Sequence, residues 1–357
     1  MWGISKMDLI VIKVAKRGIM CSLKNKKDVP NWEEKMAGQF PDDSTLLEIE
    51  EYAKEIANAA GQILLRHFLK HDGLDVSYKD DKERDPVTNA DHEVQDYLSS
   101  AIRYRFPSHA VLGEEDEKDN EGDKELAPDY VWVLDPLAGT KNFLSGLPIF
   151  ASSIAVLFRG VPVVAAVFLP WPVGNSGIVM HARRGGGAYI DETKLSVQTL
   201  DSPKANRLTT LPGGFMRLFN INRHMSGRVG EVRMTGSIVY ELSLVAKGVP
   251  QYTFTTAPFL WDAAAGVLLV MESGGQVLRA EKSRFVKLSF IPGRWTTFGG
   301  FVDRWESGKT TMSDLRKWRG SLLLGHPNVV DYIATNMSIK SLRLRKIQRW
   351  VIRKMKK

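Results

Sequence analysis

Apolar positions recur at helical spacing from residue 44 onward. Ile49, Ala53, Ile56, Ala60, Ile63 and Phe68 follow one another at threes, fours and a five, which predicts a helix with one buried face. Thr45 and Glu48 have capping-box spacing at its start. A second helix is predicted from Asp91, a residue suited to cap it. Val94, Leu98 and Ile102 face inward on that helix, and Pro107 lies beyond its end. The polar stretch 78–85 between the two reads as a loop or hairpin.

The pattern then shortens to strands. Residues 110–112 form a short one ending at Gly113-Glu114-Glu115, and residues 131–134 form a buried one that stops at Asp135-Pro136. Residues 154–157 and 163–169 pair around an Arg159-Gly160 turn, and 178–182, 185–189 and 195–200 continue as a meander. The first half thus supplies two helices and a mostly antiparallel run. The second half alternates: a strand at 208–211, a helix over 236–246 with Leu242 and Val245 inward, and a helix over 263–272 ended by Gly274-Gly275. Residues 282–320 show weak periodicity and no readable function. The expected organisation is a basic extension at 1–43, an α+β half at 44–190, an α/β half at 191–337 and a basic amphipathic helix at 338–357.

Composition narrows the classes. A chain of 357 residues with 43% hydrophobic and 25% charged residues has room for a sizeable core and is not wholly disordered. Cys21 is its one cysteine, which excludes an intramolecular disulfide framework and a multi-cysteine zinc site. His67, His109, His181 and His224 lack metal-ligand spacing. The net charge of +8 belongs to one end. Nine basic residues and no acid lie from Ser338 to Lys357, and the rest carries 40 Lys and Arg against 41 Asp and Glu. In that tail Leu344, Ile347, Val351, Ile352 and Met355 oppose Arg345, Lys346, Arg349, Arg353 and Lys356, a pattern that suits either an anionic membrane surface or packing on the body. Nucleic acid is not expected as a partner, because no binding module is present. No apolar run approaches the ~20 residues that span a bilayer. Residues 1–31 offer no convincing cleavage site, so the cytoplasm is the expected location.

The chemistry gathers at carboxylates placed at element ends: Asp91, Glu114, Glu115, Asp135 and Asp262. Acids at such positions converge without unwinding the fold. Hard divalent cations take oxygen ligands, so this set favours Mg²⁺ or Mn²⁺ over zinc. Gly139-Thr140 follows Asp135-Pro136 and can offer backbone N–H groups to a phosphate. Arg183-Arg184-Gly185-Gly186-Gly187 lacks the Lys-Ser/Thr of a P-loop and reads as a strand turn.

The order of these pieces carries a resemblance. Residues 135–143, Asp-Pro-Leu-Ala-Gly-Thr-Lys-Asn-Phe, resemble the metal-binding signature of the inositol monophosphatase family. Gly113-Glu114-Glu115 resembles its Gly-Glu-Glu element, and Asp85-Pro86-Val87-Thr88-Asn89-Ala90-Asp91 its Asp-x-Val-Thr-x-x-Asp segment. Trp261-Asp262-Ala263-Ala264-Ala265-Gly266 resembles the second signature, continued by Glu272-Ser273-Gly274-Gly275, and Gly236-Ser237 lies where the family contacts substrate.

The resemblance implies an αβαβα layered sandwich, commonly homodimeric, that hydrolyses a small phosphate monoester with two or three Mg²⁺ ions and is often lithium-sensitive. Glu114, Asp135 and the carbonyl of Leu137 would hold the first metal, and Asp135 and Asp262 the second. Asp91 would orient the water of a further metal. Thr140 and Glu114 would position the attacking water. The amides of Gly139 and Thr140 would receive the phosphate, with Gly236 and Ser237 against the substrate.

Two departures qualify it. The signature normally has a second aspartate where this chain has Ala138, and a methyl group cannot coordinate a cation. The expectation is weakened catalysis on a preserved scaffold, an inactive binder of a phosphorylated ligand or a membrane surface, or substitution by Glu115 or Asp116. The family's inositol-specific members also carry a sugar-contacting acid before Trp-Asp, and residues 254–259 here contain none. The choice among inositol, histidinol, sugar and nucleotide phosphates therefore stays open.

Overall fold

The computed structural model describes residues 19–20, 40–70, 75–79, 86–116, 125–171, 176–215, 219–282 and 292–339. In chain order the elements are β1 (Ile19–Met20), α1 (Asp43–Lys70), β2 (Val76–Tyr78), β3 (Pro86–Thr88), α2 (Asn89–Arg105), β4 (Ala110–Gly113), β5 (Tyr130–Ala138) and α3 (Thr140–Leu144). Next come β6 (Ala151–Phe158), β7 (Val161–Leu169), β8 (Ile178–Arg183), β9 (Gly187–Ile190), β10 (Thr193–Lys194), β11 (Leu208–Thr210), β12 (Phe219–Ile221) and β13 (Glu231–Arg233). The last are α4 (Ile238–Ala246), β14 (Tyr252–Thr255), α5 (Leu260–Glu272), β15 (Gln276–Lys282), β16 (Pro292–Thr297), α6 (Met312–Arg316), β17 (Leu322–Gly325), α7 (Pro327–Asn336) and β18 (Met337–Ile339).

Two main sheets stack between helices. The first has seven strands in the order β10-β9-β8-β7-β6-β5-β4, antiparallel except for β4 beside β5. The second has six in the order β13-β11-β14-β17-β15-β16. One apolar core joins α1 and α2 to the first sheet, a second fills the space holding α4 and α5, and a third joins the second sheet to α7. The layers therefore run α-β-α-β-α, as the resemblance implied. Strands β6 and β7 are buried along their whole length because helices cover both faces of their sheet. The middle core takes residues from both expected halves, Val133 and Ala155 with Leu244 and Leu268, so it crosses the expected boundary at 190.

Several local expectations change. Asp42, not Thr45, caps α1: its Oδ1 accepts from Thr45 N at 2.8 Å and Ser44 Oγ at 2.6 Å. Thr88 caps α2, and Asp91 is the third helical residue, returning the capping box by accepting from Thr88 N at 2.8 Å. Asp262 likewise lies inside α5 rather than before it. Residues 195–200 run without strand pairing; Val197 N donates instead to the carbonyl of Ser273. The Arg183–Gly187 stretch is the expected strand turn. Its Gly185 and Gly187 N–H groups donate to the Glu272 carboxylate at 2.9 and 3.0 Å. The 338–357 helix lies outside the described residues beyond Ile339, and Ser338–Ile339 belong to β18. Cys21 and most of the 1–43 extension also lie outside them.

A buried charged staple ties α1 to β8. Glu50, 1% exposed, accepts from His181 Nδ1 at 2.7 Å and from Arg183 Nη1 at 3.0 Å, and Arg183 also pairs with Asp43. Burial raises the Glu50 carboxyl, but the His181 and Arg183 hydrogen bonds outweigh it and hold it below the usual range. That contribution is present at neutral pH, above the unfolded value near 4.5, and is lost as pH falls through the lower folded value. Glu50→Ala is expected to cost about 1–3 kcal/mol in urea unfolding at pH 7, by leaving the buried His181 Nδ1 without Glu50 while Arg183 keeps Asp43. An unchanged midpoint would show that the staple is not a net stabiliser.

Candidate active site

One irregularity in β5 decides which residues share a face with Asp135. Asp135 pairs with Ser153 and Ala138 with Ala151, so Pro136 and Leu137 together oppose Ser152. Side chains three apart on a regular strand point to opposite faces. The extra residue resets the alternation. Leu134 and Leu137 consequently pack toward α1 and α2, while Val133 and Ala138 face the layer of α4 and α5. The expected stop at Asp135-Pro136 is thus a bulge, and the strand continues to Ala138.

The cleft below this bulge encloses about 210 Å³ and is lined by Glu114, Asp135, Leu137, Ala138, Gly139, Thr140, Gly236, Ser237 and Asp262, together with Pro86, Lys141 and Ile238. Glu114 is placed by its N–H, which donates to the carbonyl of Leu134 at 3.0 Å. Thr140 Oγ1 donates to the carbonyl of Leu137 at 3.1 Å and lies 3.5 Å from Asp91 Oδ1. Asp262 Oδ2 accepts from Phe259 N at 2.7 Å. Gly139 has φ +95° and a Cβ there would sit 2.9 Å from the Ile149 carbonyl, so only glycine fits the turn into α3. Ser237 Oγ caps α4 by accepting from Tyr240 N at 3.3 Å. Sequence reasoning missed Asn142, whose Nδ2 donates to the carbonyls of Ile149 and Thr235 at 2.8 and 2.7 Å and so ties the loop after α3 to the loop before α4.

Electrostatics set Asp135 apart. It is 1% exposed, and both carboxylate oxygens are buried without a hydrogen-bond partner. Burial, then the charges of Glu114 and Asp262, push its carboxyl well above the usual range. Asp262 is pushed up to about 7 by burial and the Glu114 charge. Burial lifts Asp91 to about 6 and Glu115 to about 7, against the pull of Thr88 on the first and of Lys79 on the second. A buried acid with no donor is costly unless a cation meets it. The donor set is all oxygen, which suits Mg²⁺.

The fit is incomplete where Ala138 stands. Among the described residues no three His, Cys, Asp or Glu side chains converge closely enough to hold a metal by themselves. Neither expected substitute lines the cleft. Glu115 binds Lys79 Nζ at 2.6 Å, and Asp116 takes Gln95 Nε2, Gly113 N and Arg316 Nη2 at 2.8, 2.6 and 3.1 Å. Lys79 also holds Glu114 at 2.8 Å, so an ammonium already sits against one acid assigned to the first metal. Asp85 lies outside the described residues.

Such a sandwich, with an acidic cleft under a Gly-Thr turn between its sheets, defines a phosphatase-type scaffold. The model of the inositol monophosphatase family matches residues 45–298, and the chain belongs to that family. A Nus factor SuhB from Pseudomonas aeruginosa is 34% identical over 63% of this chain and 83% of its own length. An inositol-1-monophosphatase from Rhizobium meliloti is 34% identical over 62% and 82%. Among solved structures, an extragenic suppressor protein suhB from Bartonella henselae shares the fold with TM-score 0.60 and 23% identity, over 80% of this chain and 97% of its own. An IMPase/NADP phosphatase complexed with Mg²⁺ and phosphate shares it with TM-score 0.59 and 18% identity, over 81% and 95%.

Proposed function

We propose that this cleft hydrolyses a small phosphate monoester with Mg²⁺, and that Ala138 weakens the reaction. The buried Asp135 carboxylate, unpartnered on both oxygens beside Gly139-Thr140, carries the reading. Glu114, Asp135 and the Leu137 carbonyl would hold one ion, and Asp135 with Asp262 a second that lacks the anion absent at Ala138. Bound there, Mg²⁺ supplies a water of lowered pKa and neutralises charge on the phosphoryl oxygens. Thr140 Oγ1 and Glu114 would position a water beside the phosphate. Asp91 holds Thr140 from behind. The N–H groups of Gly139 and Thr140 receive the phosphoryl oxygens, and their alignment is set before substrate arrives.

Ala138 also favours a second reading, a relative that binds a phosphorylated ligand without turning it over. The relatives named as Nus factors mean that membership in the family does not by itself choose between the two. Phosphate release from a panel of phosphomonoesters, over a Mg²⁺ titration for this chain and for Ala138→Asp, tests them together. Slow release that the variant accelerates supports the hydrolase. No release from either, with phosphate still bound, supports the binder.

A further inference from the structure

The family match ends at residue 298, and the segment beyond it returns to the site. Helix α6 is short and anchored: Leu315 is fully buried, and Trp318 packs edge-on against Phe301 at 4.8 Å. This anchoring aims two arginines at the loop between β14 and α5. Phe259 of that loop and Trp261 at the start of α5 stack with centroids 4.5 Å apart and planes 11° apart. The Arg319 guanidinium lies over the Phe259 ring, and Arg316 lies 6.0 Å from the Trp261 ring. Arg319 thus lies on a stacked aromatic pair, with Arg316 near its other member. The pair's position is tied to the cleft, because Phe259 N donates to Asp262.

The two arginines do different work. Arg316 donates to the carbonyl of Gly113 at 3.2 Å and to Asp116 at 3.1 Å, so it braces the loop carrying Glu114. Arg319 is exposed and, among the described residues, donates one hydrogen bond, to the carbonyl of Ala257 at 3.3 Å. Its charge favours the ionised form of Asp262, which places it within electrostatic reach of the cleft. Ala257 holds φ +46°, a strained conformation for a non-glycine residue that turns this loop sharply. Thr255 Oγ1, at the root of the same loop, is buried without a partner. The loop that lacks a sugar-contacting acid therefore carries a guanidinium.

We propose that Arg319 is a specificity residue that selects phosphate monoesters bearing a second anionic group, a carboxylate or another phosphate, over those bearing only hydroxyls. The inference rests on the phosphate-binding reading of the cleft. A guanidinium fork binds either anion through paired N–H donors and gives a neutral polyol no charge to meet. The stack on Phe259 holds the fork flat and reduces the ordering lost on binding.

The test is calorimetric titration of the full chain at saturating Mg²⁺, with turnover followed alongside. Two matched pairs serve as probes: 3-phosphoglycerate against glycerol 3-phosphate, and fructose 1,6-bisphosphate against fructose 6-phosphate. Inorganic phosphate is the control. The member bearing the second anionic group, in at least one pair, is expected to bind about tenfold or more tighter, as a charge-assisted bidentate contact would give. The pair that responds identifies the second group as carboxylate or phosphate. Arg319→Gln is expected to bring that pair to parity, the preference being read as the ratio within the pair, and Arg319→Lys to restore part of the preference. Equal binding within both pairs, or a preference that survives Arg319→Gln, overturns the proposal while bound phosphate keeps the cleft's reading intact. Absence of phosphate binding overturns both.

Discussion

Ala138→Asp is expected to raise phosphate release at low millimolar Mg²⁺ by more than about 100-fold, since even residues behind the ligands change metal affinity by ~10–100-fold. The bulge in β5 makes the prediction specific. It turns residue 138 to the same face as Asp135, toward Asp262, in a cleft whose wall it already forms. Ala138 is 6% exposed, so a carboxylate there would be buried with acids and would need a cation. The variant is therefore expected to melt below the parent in chelator and to recover in Mg²⁺. Both signs matter. A variant that gains activity without a metal-dependent melting shift would place the missing ligand elsewhere. Full activity of the parent at low Mg²⁺ would mean that the site needs no acid at this position.

Asp135→Asn is expected to do the opposite on both scales. Activity should fall below detection, because the residue assigned to both ions loses its charge. Metal-free stability should rise by about 1–3 kcal/mol, the order of the penalty for a buried polar group left unpaired. The amide keeps the shape and removes repulsion from Glu114 and Asp262, the neighbours that push Asp135 upward. The stabilisation conferred by Mg²⁺ in the parent should vanish in the variant. Urea unfolding with and without Mg²⁺ reads both effects. A variant that is less stable than the parent in chelator, yet still stabilised by Mg²⁺, would remove Asp135 from the metal site.

Much of the fold was legible from periodicity. Val94, Leu98 and Ile102, and the buried members of the α1 stripe, declare themselves because a 3.6-residue repeat is local. What stayed hidden was decided by partners. Proline lacks a ladder donor, so Asp135-Pro136 reads as a strand end, yet pairing with β6 carries the strand past it through the bulge. Residues 195–200 alternate like a strand, but their backbone bonds are isolated ones to Ala188 and Ser273 rather than a ladder. The family motifs named Glu114, Asp135, Leu137, Ala138, Gly139, Thr140, Gly236, Ser237 and Asp262, which line one cleft, whereas Asp91 stands beside Thr140 and does not line it. They could not show that Glu115 and Asp116 are committed elsewhere, nor that Arg319 reaches the β14–α5 loop, since residues 312–319 carry too short a helix for a periodic signal.

The acids of the cleft differ in how freely evolution can discard them. Asp91 and Asp262 each accept a backbone N–H at the start of a helix, from Thr88 and Phe259, so losing either would fray α2 or α5 even in a lineage that had abandoned catalysis. Their hydrogen bonds give them a folding role beside any chemical one. Asp135 has no such second employment: among the described residues its carboxylate oxygens are buried without a donor. An aspartate at 138 would be under the same kind of pressure. Of two positions that only chemistry would hold, this chain has aspartate at one, Asp135, and alanine at the other, Ala138.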